Sequence, residues 1–275
     1  MKGMIIMLDN FELPNETIDK VYDDIAHPAA SETGKFIGRI PRAINAALSR
    51  LDCWILKREF NVEETKKSLE EKLASSDPNK IISPEPYVAV PALQSIAYCI
   101  TNHELHDLYA NLLAKAMFLD TKDQVHPCFV EIIKQLSPND ALVFKACSIR
   151  QTTPAATLSI VMQLNGLHLA GGAQEEQFSL DLITDINIPS TSEEQVRVSL
   201  DNLMRLGLIK LNDFELRDGT SYSFVKSSKI YLEASAKFQK LNQLETRAEH
   251  IHIYRKCITV TTLGSQFRAI CIDGF

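Results

Sequence analysis

Six cysteines stand far apart, at 53, 99, 128, 147, 257 and 271, and no Cys-x-x-Cys spacing occurs anywhere. That removes the common zinc-ribbon and thioredoxin-like arrangements. Each cysteine has apolar neighbours, as in Ala97-Tyr98-Cys99-Ile100, so they read as reduced, buried small hydrophobes of a reducing compartment. No apolar run approaches the roughly 18–20 residues needed to cross a bilayer. Met1–Leu8 is too short for a signal h-region and runs into acidic residues, so a soluble, cytoplasmic chain is expected. Basic excess is missing too. The net charge is −6, and −5 of it falls within residues 1–136, so general nucleic-acid affinity is not expected. Glycine and proline, 10 and 11 in 275 residues, are too few for a fibrous or low-complexity chain. There is no Gly-x-Ser-x-Gly, no Walker A loop, no Gly-x-Gly-x-x-Gly and no defensible carboxylate pair. An enzyme is therefore not expected, and no cofactor is implied.

What is present is helical periodicity. From Ser31 to Arg58 the residues Ile37, Ile40, Ile44, Leu48, Leu51 and Ile55 recur every three or four positions, which predicts an amphipathic helix. Pro41 inside the pattern predicts a kink or break. Asn61, with Glu64 three residues on, predicts the start of a second helix, Val62–Ala74. Ser75–Pro86 reads as a linker. A helix over Val88–Ile100 follows, then one capped by Thr101 and carrying Leu105, Leu108, Leu112 and Ala116 inward. Pro127 fits the first turn of another, with Phe129, Ile132, Ile133 and Leu136 inward. Ser137-Pro138-Asn139-Asp140 combines a Ser cap, a Pro at the first helical position and a carboxylate near the positive helix end.

Beyond Arg150 the texture changes. Thr152–Leu167 is rich in β-branched residues, and strand and helix remain open for it. Gly171-Gly172 marks a turn. Ser192 with Gln195 opens a helix, Glu193–Leu206, stopped by Gly207 and followed by a strand at Leu208–Leu211. Lys229–Ala248 looks helical, Cys257–Thr261 a strand, and a last helix holds Phe267 and Ile270. The expected fold is mainly α: an N-terminal and central helical bundle followed by a winged-helix-like α+β C-terminal domain. Its expected divisions are 1–86, 87–148 and 149–275, with a helical insertion near 212–256.

The run Glu104-Leu105-His106-Asp107-Leu108-Tyr109-Ala110-Asn111-Leu112-Leu113-Ala114, continued by Val125-His126-Pro127-Cys128-Phe129 through Ser137-Pro138-Asn139-Asp140-Ala141, resembles the abortive-infection alpha (Abi-alpha) family of bacteria. Ala29–Lys35, the Pro-rich Ile82–Pro91 stretch, Leu200–Ile209 and Thr261–Gly264 look like further parts of that family. The resemblance implies a setting in phage defence, in which an infected cell dies or stalls before phage are released. It implies no family-wide catalytic residue or cofactor.

Several residues are candidates for function, each with a plainer alternative. His103 and His106 lie three apart on a helix, one short of the His-Glu-x-x-His spacing and lacking a third ligand, so two solvent-side histidines are expected. His250 and His252 share the same weakness on a strand. Asn111, at the edge of an apolar face, is expected to tie its helix to a neighbouring backbone. His126 and Pro127 are expected at a helix joint, and Ser137, Pro138 and Asp140 at a helix start. Lys35, Arg39, Arg42, Arg50 and Lys57 form a basic stripe opposite the first apolar face. Such a stripe suits an anionic membrane surface or a partner, or is simply the wet side of a packed helix. On the winged-helix-like part, Arg197, Arg205 and Lys210 are the candidate surface. Glu193/Arg197 and Asp201/Arg205 stand at helical pair spacing, which answers the positive charge and disfavours DNA reading. The expected function is a non-enzymatic interaction or effector protein of phage defence that binds an unknown protein partner, a phage component among the candidates, or the inner membrane surface. A DNA-binding regulator is the alternative. An oligomer is compatible with either.

Overall fold

The computed structural model describes residues 39–49, 62–96, 99, 102–163, 174–217, 219–243 and 248–274. The described residues are mostly helical, with one small, curled four-stranded antiparallel sheet among them. In chain order the helices and strands are α1 (Arg39–Ser49), α2 (Val62–Leu73), α3 (Pro86–Ile96), α4 (His103–Ala116), α5 (Cys128–Lys134), α6 (Pro138–Arg150), β1 (Thr152–Gln163), β2 (Gln174–Thr184), α7 (Glu193–Arg205), β3 (Ile209–Asn212), α8 (Lys229–Gln243), β4 (Ala248–Val260) and α9 (Thr262–Phe267). A π-helical turn, Arg268–Ile272, follows α9.

The helix starts follow from capping chemistry. Ser137 accepts the Asp140 N–H while Asp140 accepts the Ser137 N–H, and Pro138 sits between them at the first position. Ser192 and Gln195 repeat the reciprocal arrangement on α7. Each such cap contributes about 1 kcal/mol. On α4 the cap is Asn102, not Thr101: the Asn102 carboxamide oxygen accepts the Leu105 N–H. Asn is among the best caps, and the one-residue shift reflects its competition with the Thr beside it. Helix α1 runs through Pro41 without a break over its described length. Residues 31–38, 50–61 and 97–98, the Asn61 cap and the Gly171-Gly172 turn lie outside the described residues.

β1 settles the ambiguity after Arg150 in favour of a strand. It is an inner strand of the order β2-β1-β4-β3 and pairs antiparallel with both neighbours. Pro154 fits there because β2 pairing begins only at Ala155, so no neighbour on that side needs its absent N–H. β4 is longer than expected, covering Ala248–Val260, so among the described residues of 212–256 helix is confined to Gly219–Ser227 (a 3-10 stretch) and α8. β2 was not expected.

One large hydrophobic core takes in α1 to α7, the lower end of the sheet and the chain end. Ile44 of α1, Leu69 and Leu73 of α2, Leu112 and Leu113 of α4, Phe144 of α6, Leu200 and Leu203 of α7, Ile258 of β4 and Phe267 of α9 all belong to it. Phe267 stands edge-on to both Phe129 and Phe144, with ring centroids 5.6 Å apart in each case. A second, smaller core lies on one face of the upper sheet. There Ala156 and Leu158 of β1 meet Tyr222, Val225 and Ile230.

The joint that closes the chain end is tight. The Thr261 hydroxyl donates to Gly207 O at 2.6 Å and accepts the Gly264 N–H at 2.9 Å, while the Thr261 N–H donates to Leu208 O at 3.0 Å. Gly207 has φ +72°, the left-handed stop predicted after α7. At Gly264 a Cβ would lie 2.0 Å from Leu208 O, so only glycine fits.

Candidate functional surfaces

The most recognisable segment is built inward. Asn111, buried on α4, donates from Nδ2 to Cys271 O at 2.8 Å and so ties α4 to the π-helical turn. His126 is exposed; its Nδ1 accepts the Cys128 N–H at 3.1 Å and supports the start of α5 beside Pro127. Asp140 is buried, and beyond its cap it accepts from Asn202 Nδ2 at 2.9 Å. Asn202 also donates to Gln135 O, and Arg205 reaches Gln135 Oε1 at 3.0 Å and Asn202 Oδ1 at 2.7 Å. One polar network thus fastens α7 across the α5–α6 joint. His106 is buried rather than solvent-side, because it shares a face of α4 with Tyr109, Ala110 and Leu113, all of them buried at helical spacing from it; His103 is exposed.

The pairs expected along α7 give way to other partners. Arg197 stands 3.9 Å from Asp181 of β2, and Arg205 turns to Gln135 and Asn202 as above. Asp181 and Gln135 are brought up by packing of other elements, while Asn202 lies one turn back on α7 itself. Lys210 is exposed on β3. Val198, 63% exposed, leaves an apolar side chain in solvent on α7, as Ile149, 67% exposed, does on the adjoining α6.

For the basic stripe, Arg42 is exposed on α1 while Ile44 on the same helix is 0% exposed and Ile40 packs against the core. The described part of the apolar face is therefore covered by α2 and its neighbours. Lys35, Arg50 and Lys57, and the side chain of Arg39, lie outside the described residues. α1 and α7 pack on different partners, so the two candidate surfaces belong to different parts of the molecule.

The thiols read as structural. Burial pushes Cys147 up to about 12, with a contact from Thr153 opposing it, and burial likewise holds Cys271 well above the ordinary range. Cys99 and Cys128 are half-buried and raised by burial as well. Burial also raises the Tyr109 phenol. Thiols and phenols held protonated are poor nucleophiles. Among the described residues no group of three or more His, Cys, Asp or Glu stands close enough to hold a metal ion, and no helix is long and apolar enough to cross a membrane.

Sequence reasoning missed an open groove of about 670 Å³ lined by Asp213, Glu215 and the β4 residues Ile251–Lys256. Arg255 pairs with Glu215 at 3.0 Å and Lys256 with Asp213 at 2.8 Å at its lower end. His250 and His252 stand exposed on β4, ring centroids 6.1 Å apart. The alternation of His250-Ile251-His252-Ile253 was a strand signal in the sequence; that the strand has an open side was not.

Comparison with known proteins gives one family, described as abortive infection alpha, whose match covers residues 57–271. No curated protein matches. Among solved structures, one described as an uncharacterized protein from the hydrocarbon-degrading marine bacterium Alcanivorax borkumensis is similar at 18% identity. The match covers 52% of this chain and 90% of that one, with a TM-score of 0.33.

Proposed function

Since the chain belongs to the abortive infection alpha family, we propose that it is a non-enzymatic interaction protein of bacterial phage defence that acts by binding a protein partner through its surface. One observation carries this reading. The residues that make the family segment recognisable are used internally, Asn111 on Cys271 O and Ser137 and Asp140 on a cap fastened to Asn202. They build a scaffold and leave no converging nucleophile, base and oxyanion donors of the kind a reaction requires. Activity on such a scaffold resides on its outside.

A protein partner is favoured over the two other surfaces considered. An amphipathic helix binds a membrane by sinking its apolar face, and on α1 Ile44 is already in the core. A DNA-reading helix keeps its cations free, whereas Arg197 and Arg205 have acceptors in this chain. The winged-helix-like part serves, in this proposal, as a packing and partner-binding module, with Val198 and Lys210 on its outer side.

The test is plating efficiency of phage on cells carrying the chain. The double variant Arg42→Glu/Val198→Asp is expected to lose protection at unchanged soluble level and unchanged circular dichroism. The reading fails if that variant protects fully while His126→Asn or His252→Asn abolishes protection without loss of stability, which would indicate chemistry. Flotation with anionic vesicles and salt-dependent DNA binding separate the other two surfaces. No binding by the wild type is expected in either.

A further inference from the structure

β3 leaves β4 early. The two strands pair from Ile209↔Val260 to Asn212↔Cys257 in one unbroken antiparallel register. There the ladder stops, and Asp213–Arg217 forms no strand. Among the described residues no strand lies beside Ile251 to Arg255 on that side. The groove of about 670 Å³ opens there, lined by Asp213 and Glu215 as well as by β4.

The segment that turns away is built to continue. Extending the register sets Asp213 opposite Lys256, Phe214 opposite Arg255, Glu215 opposite Tyr254, Leu216 opposite Ile253 and Arg217 opposite His252. The first of these pairs is already made, since the Asp213 carboxylate lies 2.8 Å from Lys256 Nζ. Leu216 and Ile253 both pack against the smaller core, so Leu216 stands on the required side of the sheet. The main chain agrees. The Thr261 N–H donates to Leu208 O, so the odd-numbered residues of β4 turn their N–H and C=O toward β3, and Arg255 and Ile253 present theirs to the groove. No proline falls in Asp213–Arg217 to refuse them. Two contacts hold the segment off. Arg255 pairs with Glu215 at 3.0 Å where the register sets Phe214, and a slip of one residue puts a side chain on the wrong face. The Leu216 N–H is taken up by the Tyr222 hydroxyl at 2.9 Å, which itself donates to Lys256 O.

We propose that Asp213–Arg217 is a strap that closes onto β4, lengthening β3 and filling the groove, and that the open form described above alternates with this closed one. Closing exchanges the Glu215–Arg255 ion pair and the Tyr222 contact for ladder bonds, Phe214 N–H to Arg255 O and Leu216 N–H to Ile253 O. It also brings Phe214, 53% exposed in the open form, beside Arg255 on the covered side. An exposed ion pair and a few main-chain bonds are of similar weight, so the two forms lie close in free energy, as a two-state element requires. An open strand edge is a template for other chains, and the closed strap removes it. This inference stands apart from the partner-binding reading above, and neither needs the other.

Positions 217 and 252 report closure. Even-numbered β4 residues form the non-hydrogen-bonded pairs with β3, where Cα atoms approach to about 4.5 Å, within the roughly 4.4–6.8 Å that a disulfide spans. Full-length Arg217→Cys/His252→Cys is treated with diamide, which takes up the two electrons and two protons of disulfide formation. The link is followed by peptide mass and on non-reducing gels. The wild type, both single variants and the displaced pair Arg217→Cys/His250→Cys are run beside it. A link within one chain is expected, forming about tenfold or more faster than in the displaced pair. Glu215→Gln should speed it by about two- to five-fold, the weight of one exposed ion pair. Phe214→Pro removes the N–H due to Arg255 O at an exposed position. It should abolish the advantage and quicken amide exchange at Ile253 and Arg255, with Cys257 and Thr259 unchanged. A link no faster than in the displaced pair overturns the proposal, as does one that joins two chains. So do a link and an exchange pattern untouched by Phe214→Pro, which would show nearness without pairing. A slower link in Glu215→Gln overturns it too, by showing that the ion pair favours closure.

Discussion

Asn111 shows how much one side chain decides. Its carboxamide satisfies Cys271 O in the interior, where an unpaired carbonyl is costly, so Asn111→Leu should destabilise the fold by about 1–3 kcal/mol in urea titration. The cysteines give a second expectation. Below its ordinary value of 9.0 the Cys147 thiol is protonated in both folded and unfolded chains, and its packing counts in full. Above that pH the unfolded chain ionises first, while the buried thiol holds its proton to about 12. Stability should therefore fall between those values, and Cys147→Ala should flatten the fall, as thermal melts at increasing pH would show. A residual slope remains from Cys271, which burial raises too. Iodoacetamide should label Cys99 and Cys128 well before Cys147, Cys257 and Cys271 in peptide mass maps.

At the scale of elements, the joint between β3, β4 and α9 is the least forgiving. Gly264→Ala forces a Cβ onto Leu208 O and should cost about 3 kcal/mol, whereas Gly207→Ala, strained only by its positive φ, should cost about 1–2 kcal/mol. The exposed neighbour Ser265→Ala should change the melting temperature little. Elements with local signals were legible in the sequence. The starts of α6 and α7 are written in Ser137-Pro138-Asn139-Asp140 and Ser192–Gln195, and those caps are present. The Asn102 cap was displaced by one residue because Thr101 and Asn102 are both good caps. β1 was ambiguous because it is buried on both faces, which removes the alternation that marks a half-exposed strand. The strand β2 was passed over although Phe178, Leu180 and Leu182 alternate with polar residues. The partners of Arg197 and Arg205, and the open side of β4, depend on which distant elements meet, and no local spacing records that.

At the scale of the molecule, the continuous core sets the expectation for unfolding. Bundle helices and the lower sheet share one cluster joined through Phe267, so far- and near-ultraviolet circular dichroism should report a single coincident transition. Phe267→Ala should lower stability by about 3–5 kcal/mol. Hydrogen exchange should be faster in α8, which rests on the smaller core, than in α4. The tie between Asn111 and Cys271 has a kinetic consequence as well. It spans 160 residues of chain, and a contact of that separation can form only after a long stretch of backbone has been confined. It belongs late on the folding route, past the barrier. Removing it should leave the refolding limb of a chevron almost unmoved and steepen escape from the native state. Asn111 would then act as a latch that governs how long the folded chain survives rather than how fast it arrives.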